Sequence, residues 1–292
     1  MKETTKAYIA GLIDAEGDYS IGRSVVKNRY VSFDPLIRFT TTYKPVVKWA
    51  IQNFGGVYKP YDWNNGLWKQ YYCWKFSSDM HAARFLRLIL PYIWIKRAEA
   101  NLLLEYYSLN GQQNKMKREE LHARMVEIKQ QRESLTPNMP SFPKKTVHAY
   151  FAGIFDGEGS AFILKYKYDD TAFHYRSCVS ASNTFKPLVL CFEKIYNGFW
   201  RERPPHNGIL PMYEWNLTRQ KEQEQFILAL LPYVKIKREQ MKLLLNFIRM
   251  RGQRNPAERD ALYIKVRQLN GKKIESELHG DVQSDTAVTQ PS

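Results

Sequence analysis

Ten residues near the start of the chain, Tyr8-Ile9-Ala10-Gly11-Leu12-Ile13-Asp14-Ala15-Glu16-Gly17, return 142 positions later as Tyr150-Phe151-Ala152-Gly153-Ile154-Phe155-Asp156-Gly157-Glu158-Gly159. Read as a helix, the first copy sets Ala7, Ala10, Gly11 and Asp14 on one face, because residues three and four apart are neighbours. Ala149, Ala152, Gly153 and Asp156 take the same places in the second. A stripe of small residues lets two helix backbones approach closely, so Ala10, Gly11, Asp14, Ala152, Gly153 and Asp156 are expected at a helix interface. Thr4 and Thr146 match across the copies and are expected as N-caps. Each helix ends at an acid followed by glycine, a common stop. Packed together, the two helices would bring Glu16 and Glu158 side by side, and two carboxylates so placed call for a cation between them.

The repeat extends well past the motif. After the first copy, 18–26 and 30–42 read as strands, rich in β-branched and aromatic residues. Residues 44–54 read as a helix begun by Lys44-Pro45 and stopped by Gly55-Gly56. Residues 57–63 and 67–77 are the next strands, joined through Asn64-Asn65-Gly66, a hairpin signal. Residues 79–90 and 97–108 read as helices separated by Pro91. The second half keeps the order: Lys186-Pro187 matches Lys44-Pro45, Trp215 matches Trp74, and Leu231-Pro232-Tyr233 matches Leu90-Pro91-Tyr92. Gly111-Gln112-Gln113-Asn114 returns as Gly252-Gln253-Arg254-Asn255. The expected fold class is therefore α+β: two pseudo-symmetric αββαββα units, each a four-stranded antiparallel sheet with helices on one face. The expected divisions are 1–115 for the first unit, 116–145 for a charged helix and Pro-rich linker, 146–270 for the second unit, and 271–292 for a disordered tail. Paired sheets of this kind would form a concave saddle.

Charge says what the saddle would hold. The formal net charge is +15, and Gly271–Ser292 contributes −2 of it, leaving +17 on the rest. With 14% aromatic residues, this excess points to a nucleic-acid partner. A membrane is not expected, because no long apolar run or strongly amphipathic basic helix occurs. No signal-peptide pattern is seen. Cys73, Cys178 and Cys191 form no CxxC pair, and the six histidines are scattered; this argues for a reducing, intracellular setting and against structural zinc.

The duplicated stretch resembles the LAGLIDADG motif, and the chain is similar to two-repeat, single-chain LAGLIDADG homing endonucleases over nearly its whole length, up to about Leu269. Both copies carry Glu where the family name has its last Asp, a conservative change for metal ligation. The resemblance implies sheets seated in adjacent major grooves of double-stranded DNA, a functional monomer, and a host setting of organelle matrix or bacterial or archaeal cytoplasm. Cutting a phosphodiester needs an activated water and neutralised phosphate charge, which carboxylate-held divalent metals supply. Mg²⁺ (or Mn²⁺) suits few protein carboxylates completed by water and phosphate oxygens, so Glu16 and Glu158 are the expected ligands. In the family a lysine just after the Pro-aromatic turn stands near each active site. Lys96 and Lys237, each five residues after its proline, match that place and could polarise the water network or offset transition-state charge. Thr41 and Asn183 stand where the family often has an amide side chain, and only Asn183 is chemically apt.

Strand parity selects candidate groove residues. Phe33, Ile37 and Phe39 are apolar, while Asp34 and Arg38 have the opposite parity; the counterparts of Asp34 and Arg38 are Arg176 and Ser180. The same logic adds Lys59, Lys75, Arg201, Arg203, Glu214 and Asn216. Phe162 and Leu164 fall where polar groups are expected, which implies contact with thymine methyls or a bulge. Two other readings stay open within the resemblance. One is a splicing maturase that binds intron RNA. The other is an inactive DNA-binding regulator, which would be expected to have lost an acid, and neither acid is lost.

Overall fold

The computed structural model describes residues 1–26, 30–61, 70–109, 114–136, 138–167, 173–205, 211–250 and 255–271. The first unit runs α1 (Glu3–Glu16), β1 (Gly17–Val26), β2 (Tyr30–Thr41), α2 (Lys44–Phe54), β3 (Val57–Tyr61), β4 (Tyr71–Lys75), α3 (Asp79–Ile89) and α4 (Arg97–Tyr107). Helix α5 (Lys115–Gln130) and the short α6 (Arg132–Leu135) follow. The second unit runs α7 (Lys144–Glu158), β5 (Gly159–Lys167), β6 (Phe173–Asn183), α8 (Lys186–Tyr196), β7 (Phe199–Arg203), β8 (Met212–Leu217), α9 (Gln220–Leu230), α10 (Arg238–Arg249) and α11 (Pro256–Leu269). The sheets are antiparallel, with orders β1-β2-β4-β3 and β5-β6-β8-β7. The α+β expectation and the duplicated topology hold.

Helices α1 and α7 pack against each other, and the small residues explain how. A Cβ added to Gly11 would lie 2.1 Å from the Tyr150 carbonyl oxygen, and one on Gly153 would lie 2.1 Å from that of Tyr8. Each glycine thus receives the backbone of the other helix where no side chain fits. The contacts are reciprocal, which is the signature of a pseudo-two-fold axis between the units. One parity of each sheet packs into the core: Tyr19, Ile21, Phe33, Ile37, Phe39 and Trp74 in the first, Ala161, Ile163, Val179, Ala181 and Trp215 in the second. The two tryptophans also hold their helix ends. Trp74 Nε1 donates to the Gly55 carbonyl and Trp215 Nε1 to that of Asn197, at residues of positive φ that terminate α2 and α8.

Several expectations are corrected. Thr4 and Thr146 are not N-caps: Lys2 and Pro143 hold those positions, with no side-chain cap bond, and the threonines lie inside the first turns. Gly17 and Gly159 end their helices, but in extended rather than left-handed backbone. Their glycine identity answers a close approach instead, since a Cβ would strike Ile13 in one and the Phe155 ring in the other. Helix α11 has no counterpart in the sequence reading. It repeats α5, and each packs on its own unit, α5 against α4 and β1, α11 against α10 and β5. The hairpin at Asn64–Gly66, the Gly111–Gln113 and Gly252–Arg254 repeat and, apart from Gly271, the 271–292 tail lie outside the described residues. No helix among the described residues is long and apolar enough to cross a membrane.

Candidate active site

The two motif helices end together. Glu16 closes α1 and Glu158 closes α7, and a Cβ on Gly157 would lie 2.9 Å from Glu16 Cγ. The second copy therefore needs glycine where the first has Ala15, because Ala15 Cβ (2.6 Å) and then the Glu16 side chain occupy that space. Glu16 is exposed, whereas Glu158 is partly buried. Burial, then the charge of Glu16, pushes the Glu158 carboxyl up to about 7, against the pull of Lys96, Lys237 and Asn183. A carboxyl crowded in this way by a neighbouring carboxylate is one that a shared cation would relieve.

The lysines do something the sequence did not suggest. Lys96 Nζ donates to the carbonyls of Ile13 (3.0 Å) and Gly17 (2.7 Å). Lys237 Nζ donates to the Asp156 carbonyl (2.5 Å) and, at 3.4 Å, to that of Gly157. The last turn of a helix leaves carbonyls without intrahelical partners, and a cation there also offsets the negative end of the dipole. Each ammonium thus closes the helix end that presents its unit's glutamate. Burial lowers the Lys96 pKa to about 8, with Asp14 opposing, and burial likewise lowers that of Lys237.

Asp14 and Asp156 place those lysines. Asp14 accepts the amides of Trp94, Ile95 and Lys96, and Asp156 accepts those of Lys235, Ile236 and Lys237. Both aspartates are buried, and the amides of the turns that precede α4 and α10 account for a carboxylate being tolerated there. Burial raises the Asp14 pKa, against its hydrogen bonds and Lys96.

One difference between the halves bears directly on a glutamate. Asn183 Nδ2 donates to Glu158 Oε1 at 2.9 Å, while its Oδ1 accepts the Phe185 amide. Thr41 keeps only the second task, its hydroxyl accepting the Tyr43 amide.

Recesses extend from Glu16 over the sheet. One of about 550 Å³ is lined by Glu16, Asp18, Arg38, Thr40, Tyr61 and Cys73; a second of about 380 Å³ reaches from Glu16 to Gly157 and Lys237. The outer face of the first sheet is therefore continuous with Glu16. Arg38 pairs with Lys75 in the register, and Lys59 with Cys73. Arg38, Lys59, Arg176, Arg201 and Arg203 are exposed, while Lys75 and Asn216 are partly buried. Asn216 Nδ2 is buried without a hydrogen-bond partner among the described residues, an open donor on that face. Two candidates do not stand free. Glu214 is buried, its Oε2 held by Arg201 and Arg203 at 2.8 Å each. Ser180 is buried on an inner strand between Ser160 and Asn216. Register runs unbroken from Gly159↔Ala181 to Lys167↔Phe173, so no bulge exists, and Phe162 and Leu164 do share the outer face.

Among the described residues no three His, Cys, Asp or Glu side chains gather as a metal-binding group. A two-carboxylate site that leaves most positions to water and phosphate still fits a hard divalent ion.

The architecture is the fold of the LAGLIDADG homing endonucleases. The chain is similar to the meganuclease I-SmaMI solved bound to uncleavable DNA, with 14% identity, 91% of this chain and 95% of that one covered, and a TM-score of 0.69. It is similar also to the LAGLIDADG homing endonucleases I-GzeII (16% identity, 90% and 97% covered, TM-score 0.67) and I-LtrWI (17%, 91% and 97%, 0.67), each in complex with target DNA. I-SmaMI has further been solved on uncleaved DNA in the presence of calcium ions. No family model and no curated protein matches the sequence.

Proposed function

We propose that the protein is a site-specific double-strand DNA endonuclease, active as a monomer, that cuts a long non-palindromic target by metal-assisted phosphodiester hydrolysis. The observation that carries this reading is the meeting of Glu16 and Glu158 at two helix ends, each end closed by a lysine, with the Glu16 end open to the outer face of the first sheet beside Arg38. The DNA in the similar solved structures supports the same partner here, bound in the major groove, which admits a β-ribbon.

Glu16 and Glu158 would hold Mg²⁺ or Mn²⁺, which supplies Lewis-acid polarisation of the phosphate and activation of water. Lys96 and Lys237 hold the helix ends and keep positive charge beside the place where phosphate charge develops. Asn183 fixes the Glu158 carboxylate. Arg38, Lys59, Lys75, Arg176, Arg201 and Arg203 neutralise phosphates or reach base edges, and Asn216 offers its open amide donor to a base acceptor.

The test is cleavage and binding by a Glu16→Gln, Glu158→Gln double variant on a site recovered from a randomised library. The charge of both ligands is gone while the sheet faces are untouched. Cleavage in Mg²⁺ is expected to vanish with DNA affinity kept within roughly tenfold of the parent. Metal-dependent cutting by the double variant would remove these residues from the chemistry.

A further inference from the structure

The tyrosine that opens each motif serves the opposite unit. Tyr8, in α1, donates its hydroxyl to Asp156 Oδ2 at 2.7 Å, and Tyr150, in α7, donates to Asp14 Oδ2 at 2.7 Å. All four side chains are buried. Each tyrosine is held twice by the other helix: its hydroxyl meets the aspartate, and its carbonyl oxygen lies against the glycine three residues before that aspartate. The oxygen that takes the tyrosine hydroxyl is the same one that takes two turn amides. Asp156 Oδ2 accepts Lys235 N and Ile236 N, and Asp14 Oδ2 accepts Trp94 N and Ile95 N. The next amide in each turn belongs to the lysine that closes the helix end.

We propose that Tyr8 and Tyr150 are crossed positioning residues: Tyr8 sets Lys237 through Asp156, and Tyr150 sets Lys96 through Asp14, so that each half of the molecule aligns the other half's site. A carboxylate turns about its Cβ–Cγ bond unless donors from more than one direction fix it. The turn amides approach from the aspartate's own unit, and the tyrosine hydroxyl is the donor that comes from the other. Burial holds both phenols far above their ordinary pKa, so they remain donors at any physiological pH. Lys235 adds a further tie, with its ammonium 5.2 Å from the Tyr8 ring centroid and 4.3 Å from that of Trp49. The corresponding residue in the other unit, Trp94, crosses the opposite way and meets the Phe185 ring edge-on at 5.8 Å between centroids.

The crossing makes a prediction that a merely structural tyrosine does not. Amide hydrogen exchange on the free protein is the first measurement. In Tyr8→Phe, exchange should rise roughly tenfold at 235–237 and stay as in the parent at 94–96; Tyr150→Phe should do the reverse, as loss of one charge-assisted bond implies. Replacing Tyr8 by 4-aminophenylalanine, which restores a donor, should restore protection, and it gives a folded comparison if the phenylalanine variant is unstable. Loosening in the mutated unit's own turn, or equally in both turns, overturns the proposal.

The second measurement rests on the nuclease reading. On a cleaved site, Lys237→Met and Lys96→Met identify which strand each half cuts. Tyr8→Phe should then slow the strand assigned to Lys237, and Tyr150→Phe the strand assigned to Lys96. Slowing of the other strand, or of both equally, overturns the crossing. A parent that cuts no DNA overturns the nuclease reading and leaves the exchange result to judge the crossing alone.

Discussion

The two units agree where they touch each other and disagree where they face outward. Along the helix pair, Tyr8, Gly11, Asp14 and Lys96 recur as Tyr150, Gly153, Asp156 and Lys237, with the same tyrosine-hydroxyl and lysine-amide bonds to the aspartate in each. On the outer faces the correspondence breaks down. Asp18 binds Arg38 (3.3 Å) and Lys129 (2.8 Å), and the equivalent places hold Ser160, Ser180 and Asn270. Asn270 turns instead to the Ala161 carbonyl. Ser20, Gly22 and Ser24 on β1 correspond by sequence to Phe162, Leu164 and Tyr166 on β5. The lesson is one of coupling. A residue at the axis contacts the other copy's backbone, so a change there must be answered in both halves. A residue on the outer face answers only to what binds it.

The largest effect is expected at the axis. Gly153→Leu forces a side chain onto the Tyr8 carbonyl and the Leu12 amide, backbone atoms that cannot swing aside. Overpacking costs about 1–3 kcal/mol where neighbours can adjust, and more where they cannot. The variant should therefore melt far below the parent or fail to fold. A parent-like melting curve would place the interface elsewhere.

A smaller effect separates the two glutamates. The Glu158 carboxyl is raised to about 7 from an ordinary 4.5, so between those values the folded protein holds a proton that the unfolded chain has released. Stability of the chelator-treated protein should fall as pH rises through this window, by on the order of 2 kcal/mol from this one group. Urea denaturation at pH 5 and pH 8 measures it. Glu158→Gln should remove most of the decline; an unchanged decline contradicts the raised pKa that burial, and then Glu16, give Glu158.

The smallest effect concerns the outer faces alone. Arg38→Ser gives the first sheet the residue of the second. It should leave melting nearly unchanged, since the Asp18 pair it breaks is half exposed and worth about 0–1 kcal/mol. Base preference at one position should shift by about 1–3 kcal/mol of discrimination. Competition binding across single-base variants reads this, and a uniform loss over all sequences would make Arg38 a phosphate contact.

Most of the scaffold was legible because the repeat is a physical signal. Matching Lys-Pro, Trp and Pro-aromatic turns fixed the element order, and the small stripe fixed the helix interface. The candidate site residues could be named from the sequence, but their bonds could not. Nothing in the spacing of Lys96 shows that its ammonium turns back to the carbonyls of Ile13 and Gly17, because that depends on where Asp14 anchors the turn 80 residues away. Helix α11 was missed although Asn255-Pro256 with Glu258 is a legible start, and Asn255 does accept the Glu258 amide. Ser180 and Glu214 were misjudged because parity assigns a face but not an exposure. A small side chain on an inner strand, or a carboxylate flanked by two arginines, is covered by its neighbours.

The central claim is that a symmetric interior carries two dissimilar reading faces, and selection of cleaved sites from a randomised DNA library tests it most directly. The account predicts one long site whose two halves differ in sequence, with the halves unrelated by inversion at the positions facing Arg38 and Arg176. Recovery of a perfect inverted repeat would show that both faces read the same bases, and would contradict it.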